Sequence, residues 1–201
     1  MNKFFKDRLP IFIFIIIIFI LGICFGAVAV NSVGFEVKDG IFKYFNSFMQ
    51  GYDQIEYNQG NMMGESIQFN LMNIFIFWAF GLSMILMPII PILVFFKGFV
   101  LGFTVGFLMS EFGFKGILIA VTAVFPQNIL IIPVYLLSSV MAIYISIRIF
   151  KYYRGNLKIK FEELLSYTLE MLILSGVLLL ASLLETYLSP LLMKLVIHFF
   201  N

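Results

Sequence analysis

The side chains of this sequence that could do chemistry are few and scattered. Asp53 and Glu56, in the stretch GYDQIEYNQG, are two carboxylates three residues apart, a spacing that in principle suits glycan cleavage or calcium binding. Their segment lacks the ligand spacing of an EF-hand loop, and nothing beside them would make one an acid and the other a base. They read as a solvated acidic surface. The one histidine, His198, has no second imidazole with which to build the two-histidine helix of a zinc protease, and reads as a wet surface residue. Ser138 and Ser139 have no base nearby to activate a hydroxyl, and no G-x-S-x-G elbow, Walker loop or dinucleotide fingerprint occurs. Cys24, the one cysteine, cannot pair within the chain and reads as a small buried packing residue. Glu170 falls in an apolar run, where snorkelling or pairing with a basic residue is expected. The residues alone therefore predict no enzyme activity, no cofactor, no metal site and no nucleic-acid partner.

What must position these side chains is almost wholly apolar. Of 201 residues 62% are hydrophobic and 12% charged, about half the charged share of a soluble domain. A soluble core of this size could not hide so much apolar surface, so lipid must be the solvent. The expected fold class is all-α, a polytopic membrane bundle of about five transmembrane helices with one broken or re-entrant segment, in a single domain covering 1–201. The spans are expected at about 10–30, 71–95, 98–114, 117–147 and 164–186. Ala27-Val28-Ala29 imitates a signal-peptidase site, but the apolar run before it exceeds the roughly 7–15 residues of a signal peptide, so an uncleaved anchor is expected. Residues 31–70, with Glu36, Asp39, Asp53, Glu56 and Glu65, form the one sizeable polar loop, and 187–201 an interfacial tail. With the N-terminus in the cytoplasm, Lys3, Lys6, Arg8, Lys97 and the cluster Arg148, Lys151, Arg154, Lys158 and Lys160 all lie inside, nine of the thirteen Lys and Arg. The 31–70 loop is then extracytoplasmic.

Three patterns within these elements carry information. Gly98, Gly102 and Gly106 recur every four residues on one helix face, and Gly22 and Gly26 repeat the spacing in the first span, as small residues do where helix backbones approach closely in lipid. Packing within one bundle is the simpler reading, and contact with a second copy the other. In FPQNILIIP, residues 125–133, Pro126 and Pro133 each remove a backbone donor, while Gln127 and Asn128 can bond the carbonyls left free. A straight helix over 117–147 would be about 46 Å long against a hydrocarbon core of about 30 Å. Irregular backbone at such a place is tolerated only within protein or beside a wet cavity, so the motif predicts a break inside the bundle. Finally, Ile41, Phe45, Phe48 and Tyr52 fall at helical spacing in the outer loop, an amphipathic stripe fit for the membrane surface, the bundle or a partner.

KGFVLGFTVGFL at 97–108, followed by FPQNILIIP at 125–133, resembles the stage II sporulation protein M family. Ala27–Ser32 and MPIIPILVFFKG at 87–98 are similar to it as well, and the likeness extends over nearly the whole chain. The resemblance implies a polytopic protein of endospore-forming bacteria, without catalytic residues, in the cell membrane that migrates around the forespore during engulfment. It also implies partners: the wall hydrolases sporulation proteins D and P, which a protein of this kind holds and localises as a scaffold. The resemblance assigns no residue a chemical role. The expected function is thus a non-enzymatic scaffold in contact with membrane lipids. The alternative is a small-solute transporter or channel whose cavity lies at the 125–133 break.

Overall fold

A computed structural model describes residues 3–51, 59–155, 160–188 and 191–192. Tyr52, Asp53, Glu56, His198 and most of the 187–201 tail lie outside the described residues, as do the side chains of Phe45 and Phe48. The described chain is helical and contains no strand: α1 is Lys3–Ser32, α2 Phe35–Gly51, α3 Gln59–Leu82, α4 Ile89–Ala123, α5 Phe125–Tyr153 and α6 Phe161–Leu183. A π-helical turn, Leu184–Leu188, ends α6. Lipid offers the backbone no hydrogen bonds, so a chain this apolar must satisfy its amides within helices. Among the described residues four helices, α1, α4, α5 and α6, are long and apolar enough to cross a membrane.

Prolines set three boundaries differently from the spacing argument. The apolar run 71–95 is not one helix. It is cut between Leu82 and Ile89, and α4 starts after Pro88 with Pro91 in its first turn. A proline there costs nothing, because the first amides of a helix have no partner to lose. Lys97, which the sequence placed at the end of a span, is instead well inside α4. The third span accordingly begins at 89, not 98. Pro126 follows the same rule: it lies in the first turn of α5, and the irregular residue is Val124, one turn-forming position ahead of the motif. From Phe125 the helix continues unbroken through Pro133, which is exposed on its outer side. The break near 125–133 therefore comes before the motif rather than within it. The outer loop also differs, since 31–70 contains α2 and the first half of α3.

The chain kinks within α4 at Gly113. Its φ of 56° and ψ of −130° divide α4 into limbs 89–112 and 114–123, a backbone conformation open to glycine because it has no Cβ. The second limb folds back on the first, so that a Cβ on Gly116 would collide with the Leu108 backbone. The short limb then passes through Val124 into α5, so the reversal of the chain lies at Gly113, well ahead of the 125–133 motif where the sequence placed a break.

α5 is the central helix. Of its most apolar stretch 56% is buried, against 22–28% for α1, α4 and α6. Its small residues Ser138, Ser139, Ala142 and Ser146 are fully enclosed. α1 packs along the first limb of α4 with the same chain direction: Gly98 abuts Phe19, Gly102 abuts Ile23 and Gly106 abuts Ala27. Cys24 is on the opposite side of α1 and is exposed rather than buried, because Gly22 and Gly26 occupy the packed face. α3 runs antiparallel to α6, from Ser66 opposite Glu185 to Gly81 opposite Tyr167.

Candidate functional site

The turn at Val124 borders a cavity of about 340 Å³. Gly102 and Gly106 of α4, Ile23 of α1, Ile117 and Val121 of the folded-back limb, and Asn128 of α5 line it. The wall is apolar apart from Asn128, and that amide is already engaged: Asn128 Nδ2 donates to the Val124 carbonyl at 2.6 Å. An amide thus answers a carbonyl at the helix start. Thr122 Oγ1 donates back to Leu118 and Ile119 in the preceding turn. Ser138 and Ser139 likewise donate to the carbonyls of Val134 and Leu136. Among the described residues no group of three His, Cys, Asp or Glu could hold a metal ion.

A polar seam, which the sequence reading missed, lies deeper in the bundle between α3 and α6. Asn70 Nδ2 donates to Ser182 Oγ at 3.0 Å, and Ser66 Oγ donates to Glu185 Oε2 on the π-helical turn. Asn70, Ser182 and Thr186 are buried. Toward the other end Tyr167 Oη donates to the carbonyls of Phe77 and Trp78 at 3.0 and 3.1 Å, and Trp78 Nε1 donates to Thr168 Oγ1. Lys97 reaches toward this seam from α4, 5.9 Å from the Phe69 ring and 5.8 Å from the Tyr135 ring, and the Glu185 carboxylate attracts it. Because Gly98 abuts Phe19, in the middle of α1, Lys97 sits at mid-depth rather than at a cytoplasmic end. That Lys97 would come within the field of an acidic residue almost ninety positions on had no local sequence signal. A lysine flanked by apolar residues on both sides was the one available hint.

The third cluster closes the end of the bundle where α1 and α6 begin and α5 finishes. Arg8 donates to both oxygens of Glu170, 162 residues away, at 3.1 and 3.4 Å. Glu170 therefore pairs with a basic residue, one of the two outcomes expected for it. Arg148 pairs with Glu163 at 3.0 Å. The Tyr144 ring stands between the two guanidinium groups, 4.8 Å from that of Arg8 and 6.0 Å from that of Arg148, a cation–π arrangement that holds both planes.

α2 stands apart from these clusters. It touches the bundle through Phe42, whose ring stacks on Phe112 at 5.4 Å, and its polar side carries the Lys43–Asp39 pair. Val37, Ile41 and Tyr44 share another face, on which Val37 is 58% and Tyr44 79% exposed. Of the predicted stripe, Ile41 is half-buried.

The sequence model of the stage II sporulation protein M family matches residues 15–190. That range contains the glycine seam, the Gly113 turn, the helix start at Pro126 and both partners of the α3–α6 seam. No curated protein and no solved structure matches the chain.

Proposed function

With a family match over most of its length, the chain belongs to the stage II sporulation protein M family, and from that premise we propose that it is a non-enzymatic membrane scaffold. Membership gives it a role in sporulation. In this reading it holds the wall hydrolases sporulation proteins D and P in the cell membrane as that membrane engulfs the forespore. The end bearing Arg8 and Arg148 faces the cytoplasm, because Lys3, Lys6, Lys151 and Arg154 gather there too and basic residues favour that side. The Gly113 turn and α2 are then on the side of the wall.

The observation that carries the proposal is the apolar face of α2, on which Val37 and Tyr44 are exposed. Phe42 is one residue, roughly 100° of helix, round from Ile41. Docking on Phe112 thus leaves the Val37–Ile41–Tyr44 face turned elsewhere, in a place accessible to an extracytoplasmic enzyme. The transporter reading fits less well, since the cavity at the Val124 break has one amide and that amide is taken by the helix itself.

The test is recovery of the wall hydrolases with the full chain from sporulating cells. Val37→Asp together with Tyr44→Asp is expected to lose the hydrolases while the thermal midpoint of the bundle is kept. Undiminished recovery with that double variant would remove α2 from the proposal. Solute flux in liposomes that Asn128→Ala abolishes would favour the transporter instead.

A further inference from the structure

Beside the cavity at the Arg8 end lie an unanswered donor and an unanswered acceptor. The cavity has a volume of about 290 Å³ and is lined by Arg8, Tyr144, Arg148, Glu163, Ser166 and Glu170, among others. This is close to the lower limit, about 300 Å³, of small-ligand sites. Arg148 and Glu163 pair through one nitrogen and one oxygen, yet Arg148 Nε and Glu163 Oε2 are buried with no hydrogen-bond partner among the described residues. A buried N–H and a buried carboxylate oxygen each cost free energy until something pairs with them. One ligand that brings both an anionic acceptor and a cationic donor would pair with both at once.

We infer that this cavity binds a phosphoethanolamine group, with the phosphate on Arg148 Nε and the hydroxyls of Tyr144 and Ser166, and the ammonium on Glu163 Oε2. Charge decides against a bare anion. Two guanidinium groups, of Arg8 and Arg148, face three carboxylates, since Glu162 also lines the wall and forms no ion pair among the described residues. A net negative cavity repels an anionic headgroup but accepts a zwitterion. Hydrogen bonding decides against choline, whose trimethylated nitrogen has no N–H to give Glu163. Depth decides for a lipid: the cavity sits where three membrane-length helices, α1, α5 and α6, begin or end, at the level of headgroups.

The test uses the purified full chain in detergent and native mass spectrometry, with phosphatidylethanolamine, phosphatidylcholine and phosphatidylglycerol of identical acyl chains. Moderate salt screens loose attraction to the neighbouring Lys151 and Arg154. Phosphatidylethanolamine is expected to bind about tenfold more tightly than either of the others, as one charge-assisted hydrogen bond made or missed would give. Glu163→Gln is expected to erase that preference. Because loss of the Arg148–Glu163 pair could unfold this end, Ser166→Ala serves as a second variant: Ser166 is exposed and carries no part of the packing, so weaker phosphatidylethanolamine binding at an unchanged thermal midpoint supports the site. Competition by soluble phosphoethanolamine at the same concentration as the lipid would keep the chemistry and assign it to the free compound. Equal binding of phosphatidylethanolamine and phosphatidylcholine, tightest binding of phosphatidylglycerol, or a preference that survives Glu163→Gln would overturn the inference.

Discussion

Two seams of the bundle are built from opposite materials. Along α1 and α4 the contact is backbone on backbone. Gly22 and Gly26 press on the main chain of Phe95 and Phe99, and Gly98 and Gly102 press on that of Phe19 and Ile23. Along α3 and α6 the contact is made by polar side chains: Tyr167 to two carbonyls, Trp78 to Thr168, Asn70 to Ser182 and Ser66 to Glu185. Lipid explains why both exist. Apolar side chains gain nothing from leaving hydrocarbon for each other, so helices associate by close van der Waals approach or by hydrogen bonds across the interface. The two solutions fail differently. A glycine seam has no tolerance for added volume, whereas a polar seam loses one bond at a time.

The contrast can be broken most severely at Gly102. A side chain there meets the backbone of Ile23, which cannot give way as a rotamer can, so Gly102→Leu is expected to cost about 3 kcal/mol or more. The check is the yield of monodisperse protein in detergent together with its thermal midpoint. A normal midpoint would mean that the α1–α4 seam is not close-packed. Gly113→Ala comes next, at about 2 kcal/mol, because alanine is strained at that backbone conformation. Its thermal midpoint should fall without any change in the α3–α6 seam, which a crosslink between cysteines placed at Ser66 and Glu185 would monitor. Tyr167→Phe removes one hydroxyl from two carbonyls and is expected to cost about 1 kcal/mol, in keeping with hydrogen bonds between membrane helices. A loss as large as that of Gly102→Leu would erase the distinction between the seams. Pro126→Ala should be the mildest, about 0.5 kcal/mol or less, since the first turn of α5 gains an amide it does not require. A large drop in midpoint would mean that the proline enforces the turn at Val124.

The glycine seam was legible in the sequence because its signal is local. Residues four apart on a helix share a face whatever surrounds them, and Gly98, Gly102 and Gly106 carry that spacing. The helix starts were legible too, had Pro88 been read as a residue just before a helix, and Pro91 and Pro126 as first-turn residues, rather than as interruptions. The polar seam was not. Asn70 and Ser182, or Tyr167 and Phe77, are each unremarkable in their own windows, and their partners come from helices about a hundred residues away. The same holds for the Arg8 end: Glu170 announced a need for a cation, but five basic residues nearby in sequence, at 148–160, were more obvious candidates than Arg8.

The sequence by itself determined that this chain lives in lipid, that it is helical, and which helix faces can approach closely. Those outcomes follow from composition and from spacing within a few turns, where the solvent and the helix period act on each residue alone. Tertiary structure decided where the chain turns back at Gly113, how deep Lys97 lies, and which carboxylate meets which guanidinium. Those depend on pairings between distant helices, and a buried charge or amide selects its partner from whatever the packed bundle places within hydrogen-bonding reach.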